Sequence, residues 1–299
     1  MRNGQMQLTD TPAIRRGGRW LASALTLASV CAPLSLEALA KDRPGRKGKD
    51  PEVVAKKIDE GARPAGGKTD NLVLEPVLKA ARTSRDAVRE LPGYSTTFIK
   101  QELTPKKGLI RQVMKVKYRR APFSVYFKFV EPHAGREVLF VEGKNKGKLQ
   151  VHEATGVVSL AGTLSLSPTG DEAMKENRYP ITMFGMEKLL DTLIQQWEQS
   201  LAEPDTEVKQ FPQAKVGEVE CRMFEVTHPK QRGELKFQKT RMFIDKKSGL
   251  PIRVEQFGFP PKAGGESPLV EEYTYTEIKA ETSLTDKDFD VKNDQYGFK

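Results

Sequence analysis

The pattern of apolar and polar positions changes period along the chain. Over residues 70–91 the apolar residues Val77, Ala81, Val88 and Leu91 recur at helical spacing. Asp70 or Asn71 supplies a cap, Pro76 suits a first turn, and Pro92-Gly93 ends the helix. The period then becomes two. Residues 94–102 are rich in Thr, Phe and Ile. Residues 109–118 place Ile110, Met114, Val116 and Tyr118 on one face and Arg111, Lys115 and Lys117 on the other. Phe123, Val125, Phe127 and Phe129 alternate with Ser124, Tyr126 and Lys128. Strands over 136–143 and 148–153 follow, joined by a Gly-Lys-Asn-Lys-Gly turn. Connections this short predict an antiparallel meander, because parallel strands need long crossovers.

Residues 160–180 break the pattern. They are rich in Ser, Gly and Pro and predict a loop over the sheet. Residues 186–201 predict a second helix with one apolar face: Leu189, Leu190, Leu193, Ile194, Trp197 and Leu201. Glu203-Pro204-Asp205 stops it. A second set of strands is expected at 206–211, 219–227, 234–244, 251–259 and 269–279, with Gly- and Pro-bearing turns between them. About ten strands and two helices without an intervening linker argue one α+β domain over 71–299.

The first forty residues differ from all of this. Arg15, Arg16 and Arg19 form a positive cluster, an apolar stretch runs from Trp20 to about Leu36, and Ala38-Leu39-Ala40 offers a small-x-small exit. This is the make-up of a secretory signal peptide cleaved after Ala40. A membrane anchor needs about 20 apolar residues, and Pro33 and Glu37 interrupt this stretch. Arg15-Arg16 hints at twin-arginine export, without the usual Phe after the pair. Cys31 follows Val30, where a lipoprotein requires a small residue, so it reads as part of the discarded leader. The expected location is the periplasm or otherwise outside the cytoplasm.

Charge refines the picture. The chain carries 49 basic and 40 acidic residues, a net +9. Loss of residues 1–40 removes four basic and two acidic residues and leaves +7. Residues 41–70 hold nine Lys/Arg and six Asp/Glu with almost no large apolar side chain. They read as a disordered basic linker with weak attraction to anionic lipid headgroups. An exported protein rarely meets nucleic acid, so none is expected as partner. Cys221 alone survives cleavage, which leaves no internal disulfide.

No catalytic constellation emerges. The three histidines, His133, His152 and His228, fall in no metal-binding spacing, and His152 and Glu153 point to opposite faces of a strand. Cys221 stands beside Met223 and Phe224 on an apolar strand and reads as structural. The sequence has no nucleophile elbow, phosphate-binding Gly loop or dinucleotide fingerprint. The expectation is a protein that is not an enzyme, with no metal and no cofactor.

Two sets of segments carry a family resemblance. Phe243-Ile244-Asp245-Lys246-Lys247-Ser248-Gly249-Leu250-Pro251-Ile252-Arg253, Tyr273–Ile278 and Leu284–Phe289 resemble the C-terminal half of the LolA-like superfamily, and Tyr94–Phe98 resembles its first strand. Pro122–Tyr126, Gly135–Val138, Val141–Asn145 and Asn177–Ile181 resemble a narrower group, the bacterial domain of unknown function 1571 family. The match runs over about residues 85–290. The wider resemblance implies a strongly curved antiparallel sheet, an incomplete β-barrel, with helices covering its open side around an apolar cavity. It implies a lipid or lipidated partner held without catalysis, or an envelope sensor or scaffold that binds another protein through the same fold. Phe98, Met114, Val116, Val125, Phe127, Phe129 and Trp197 become candidate cavity-lining residues, with a filled core as the alternative. Arg136 reads either as half of a surface ion pair with Glu137 or as a cation holding a lipid phosphate or carboxylate at the cavity mouth.

Overall fold

The computed structural model describes residues 52–56, 73–262 and 264–299. The expected leader and cleavage site lie outside the described residues, as do Asp70 and Asn71 and most of the expected linker.

Among the described residues, twelve strands form one antiparallel sheet. In chain order they are β1 (Val53–Lys56), β2 (Gly93–Thr104), β3 (Gly108–Arg119), β4 (Ser124–Glu131), β5 (Glu137–Val141) and β6 (Leu149–His152). These are followed by β7 (Thr163–Leu166), β8 (Glu207–Val216), β9 (Val219–Thr227), β10 (Lys239–Asp245), β11 (Pro251–Phe257) and β12 (Leu269–Ala280). The spatial order is β1-β8-β9-β10-β11-β12-β2-β3-β4-β5-β6-β7, so the ends do not meet and the barrel stays open. The predicted meander is present: each of β2 to β6 pairs with its successor. The two halves join where β12 pairs with β2, setting Tyr275 opposite Phe98.

Helix α1 (Glu75–Arg89) has Pro76 in its first turn, as the sequence predicts, and begins five residues after the expected start. Helix α3 (Met186–Gln199) buries Met186, Leu190, Leu193, Ile194 and Trp197. The short α2 (Asp171–Met174) precedes it. α1 and α3 run antiparallel and are tied by Arg82–Glu198 (2.8 Å), Arg85–Asp191 (3.1 Å) and Arg89–Glu187 (2.6 Å). Ser84 adds a hydrogen bond to the carbonyl of Gly249, on the β10–β11 turn (2.7 Å). No helix among the described residues is long and apolar enough to cross a membrane.

Three expectations are corrected. Residues 53–56, placed in the linker, form an edge strand on β8, in register from Val53↔Val216 to Lys56↔Gln213. The main-chain ladder of a free sheet edge stabilises a strand too short to show in apolar pattern. Within the predicted loop 160–180, Thr163–Leu166 pairs with β6. Its Thr-Leu-Ser-Leu alternates, with Leu164 and Leu166 against the core. The strand expected at 206–211 continues to Val216, because Pro212 sits in a bulge between Phe211 and Ala214 and interrupts no ladder bond. In addition, β10 begins at Lys239 rather than 234.

The sheet curls. β6 and β11 are six steps apart in the strand order, about 29 Å on a flat sheet with strands ~4.8 Å apart. Yet Leu149 of β6 and Gln256 of β11 line one small cavity. The main core fills the concave side, where α1 and α3 lie. The segment that crosses from β7 to α3, residues 167–185, lies over the rest of that side.

Candidate functional site

The strand alternation aims Phe98 (β2), Met114 (β3), Phe127 and Phe129 (β4) inward, with Tyr273 and Tyr275 of β12 beside them. Between these side chains and the 167–185 segment lies a cavity of about 150 Å³. The segment contributes Ile181, Met183 and Phe184 to the wall, and α3 adds Leu189.

Phe184 is the plug of this arrangement. Its ring meets Phe127 edge-on at 4.8 Å and Phe98 edge-on at 5.1 Å, with Tyr275 at 6.4 Å. Such pairs contribute about 0.5–1.5 kcal/mol each beyond area burial. Gly185 allows the chain to turn Phe184 inward. Its φ is +120°, and a Cβ there would meet Tyr118 Cε2 at 2.9 Å.

One end of the cavity is polar. Lys100 and Glu102 share the inward face of β2 with Phe98, and Glu271 shares that of β12 with Tyr273. Lys100 Nζ lies 3.3 Å from Glu102 Oε2 and donates to the Glu176 carbonyl (3.2 Å) and the Asn177 side chain. Tyr273 donates to Glu102 (2.7 Å). The overlying segment closes the pole through Arg178, which donates from its backbone N–H to Glu102 (2.8 Å), from Nε to Glu271 (2.8 Å), and from Nη1 to the Leu103 carbonyl (3.0 Å). Tyr179 donates to both Glu271 oxygens (3.0 and 3.2 Å).

Two cations and two carboxylates thus compensate one another, Lys100, Glu102 and Glu271 buried and Arg178 partly exposed, as buried charges require. Burial dominates their titration. It lifts the Glu271 carboxyl to about 7, against the pull of Arg178, and lowers the Lys100 ammonium despite Glu102 beside it. Burial also raises the phenols of Tyr179 and Tyr273.

Of the residues singled out in the sequence, Phe98, Met114, Phe127 and Phe129 line the cavity. Val116, Val125 and Trp197 do not; they are packed into the solid part of the core. Arg136 is not on the wall either. Its Nε is 2.7 Å from Glu153 Oε1, its Nη1 is 3.5 Å from Glu176 Oε2, and it stacks on Phe129 at 5.4 Å. The expected partner, Glu137, instead accepts the Gly297 N–H (2.7 Å). Cys221 is fully buried, and burial pushes its thiol up to about 12. Among the described residues no cluster of His, Cys, Asp or Glu has a metal-holding arrangement.

Sequence reasoning missed Arg178, Tyr179 and Phe184. The readable signal was the phase of charge: Lys100 and Glu102 alternate in step with Phe98, and Glu271 with Tyr273 and Tyr275. A charge in phase with aromatics requires a buried partner.

The sequence profile of a family described as "Protein of unknown function (DUF1571)" matches residues 91–298. The chain belongs to the DUF1571 family. The segments that resembled this family, from Pro122 to Ile181, all fall inside the match. Asn177–Ile181 forms the polar latch and part of the wall of this DUF1571 cavity. No curated protein matches the chain. Solved structures align with it at low identity. MucB shares 11% identity over 72% of this chain, with a TM-score of 0.42, and the chain spans 62% of that structure's length. The Mycobacterium tuberculosis lipoprotein LppX shares 11% over 71% of this chain and 99% of its own, with a TM-score of 0.41. The LolA superfamily protein NE2245 from Nitrosomonas europaea shares 12% over 71% and 96%, with a TM-score of 0.29.

Proposed function

We propose that this protein is an exported, non-catalytic binder of the cell envelope that holds part of a lipid, or of a lipidated partner, in the cavity beneath residues 167–185. The observation that carries the reading is an aromatic and aliphatic cavity whose only charges are already paired with each other. A guest therefore supplies carbon rather than counter-charge. Each CH₂ taken from water is worth about 0.8 kcal/mol. A volume of about 150 Å³ suits a single ring or a short run of methylenes; a dry cavity of about that size binds benzene. The leader expected from the sequence of residues 1–40 supports export.

The test is native mass spectrometry of the chain purified gently from a bacterial periplasm, with organic extraction of bound species. The expected result is an adduct of lipid mass that is lost on Phe127→Asp, in a variant whose circular dichroism stays unchanged. A bare mass, with no uptake of added lipid or lipopeptide, would sink the reading and direct the search to a protein partner.

A further inference from the structure

The loop between β6 and β7 is built unlike the rest of the surface. Residues 154–170 contain no charged side chain, in a chain where 30% of residues are charged. Its tip is a 3₁₀ turn, Val157–Ala161, bracketed by Gly156 (φ +80°) and Gly162 (φ +71°). Leu160 is 86% exposed, Val157 85% and Val158 50%. Scattered single apolar residues on a surface need no explanation, but three on one uncharged turn do.

The register places this turn on a rim with further exposed apolar residues. His152↔Thr163 and Glu137↔His152 put the loop at the same end of the sheet as the β4–β5 turn. Val113↔Glu131 and Thr104↔Gly108 extend that end to the start of β3. Val130 is 47% exposed and Leu109 39% exposed along it. Lys106 stands exposed on the β2–β3 turn of the same rim. Glu271↔Glu102 sets the polar pole of the cavity towards this rim as well.

We infer that this rim docks on a lipid bilayer, with Val157, Val158 and Leu160 entering the headgroup–acyl boundary. A stable protein interface needs about 800 Å² per partner, more than a five-residue turn covers. Insertion into a fluid bilayer requires neither that area nor a complementary pocket. It requires an apolar tip without charge, flanked by cations that meet anionic headgroups. Lys106 and the net charge of +7 carried by residues 41–299 match the second condition. The edge strand β7 is a poorer candidate for pairing with another chain. Its Leu164 and Leu166 pack into the core, and the backbone of Lys299 already meets Thr163 at one end (2.8 and 3.2 Å). The docking site is independent of whether the cavity is filled.

The test is hydrogen exchange of the full chain with and without vesicles of phosphatidylethanolamine and phosphatidylglycerol. Because exchange is read segment by segment, binding through the leader does not mask the result. The amides of 157–161 are expected to slow by at least about tenfold on adding vesicles. With Val157→Ser and Leu160→Ser together they should not slow, while strand amides exchange as before. Loop amides unaffected by vesicles while another segment becomes protected would overturn the site. So would loop protection that rises with protein concentration in the absence of lipid, which would mark contact with a second copy.

Discussion

The concave side of this sheet holds two regions built from the same alternation and finished differently. Val125, Trp197, Leu190 and Val254 belong to the buried core on which α1 and α3 lie, and none of them lines the cavity. Under residues 167–185, Phe98, Met114 and Phe127 face a cavity. Large apolar side chains point inward in both regions, so the apolar strand pattern does not cause the difference. The cover does. A helix presents an apolar stripe at regular spacing and interdigitates with the sheet. The 167–185 segment contains Pro168, Gly170, Pro180 and Gly185 and makes only short turns, so it touches the sheet at a few points. It is held there by a latch of ion pairs and one aromatic plug.

That contrast is broken most directly at the latch. Arg178→Ala leaves Glu271 buried without its cation, while Glu102 keeps the backbone N–H of residue 178, and removing one member of a buried pair costs about 3 kcal/mol or more. The expected loss in urea unfolding is therefore ~3 kcal/mol. Adding Glu271→Gln to Arg178→Ala should recover at least half of it, because the stranded charge is gone. No recovery would mean that Arg178 acts through its packing, and that the cover is no more electrostatic than the helices.

How far the sequence revealed these two regions follows from what each depends on. Period-two alternation put Phe98, Met114, Phe127 and Phe129 on the inner face, and that face is where they stand. Helical spacing picked out the buried stripe of α3, from Leu190 to Trp197. Hollowness depends on the path of an irregular segment, and residues 167–185 have no period to read. The short strands β1 and β7 were invisible for a related reason. They depend on a neighbour's main chain more than on their own side chains. The resemblance through Asn177–Ile181 marked the right stretch without its mechanism, which became visible once Arg178 and Tyr179 were seen against Glu271.

Overpacking tests the comparison without touching charge. Val125 is fully buried in the solid region, and Val138 of β5 lines the cavity. Val125→Phe has no room and should cost about 2 kcal/mol through forced shifts. Val138→Phe has space to occupy and should cost less than about 1 kcal/mol, or stabilise. It should also reduce lipid uptake in the native mass measurement. Equal costs at the two sites would mean that the cavity closes up in solution and that both regions are ordinary core.

The smallest effect is the most specific to the polar pole. Burial raises the Glu271 carboxyl from its ordinary 4.5 to about 7, so between those values the folded protein holds a proton that the unfolded chain releases. A carboxyl of this kind stabilises the fold on the acid side, and the contribution is lost as pH rises through about 7. For that shift, the gain between pH 8 and pH 6 is about 1.3 kcal/mol. The same linkage applies to the cover. If lifting residues 167–185 returns Glu271 to water, its proton is held more tightly in the closed state, so acid favours closure and alkali favours opening. Glu271→Gln is permanently neutral and should abolish this part of the pH dependence while leaving other titrations in place. The readout is the difference in unfolding free energy between the two proteins at pH 6 and pH 8, alongside proteolysis at Arg178 as a measure of opening. A wild-type protein that gains stability from pH 6 to pH 8 relative to Glu271→Gln would show that Arg178 and Tyr179 outweigh burial, and that the latch tightens when the carboxylate is charged.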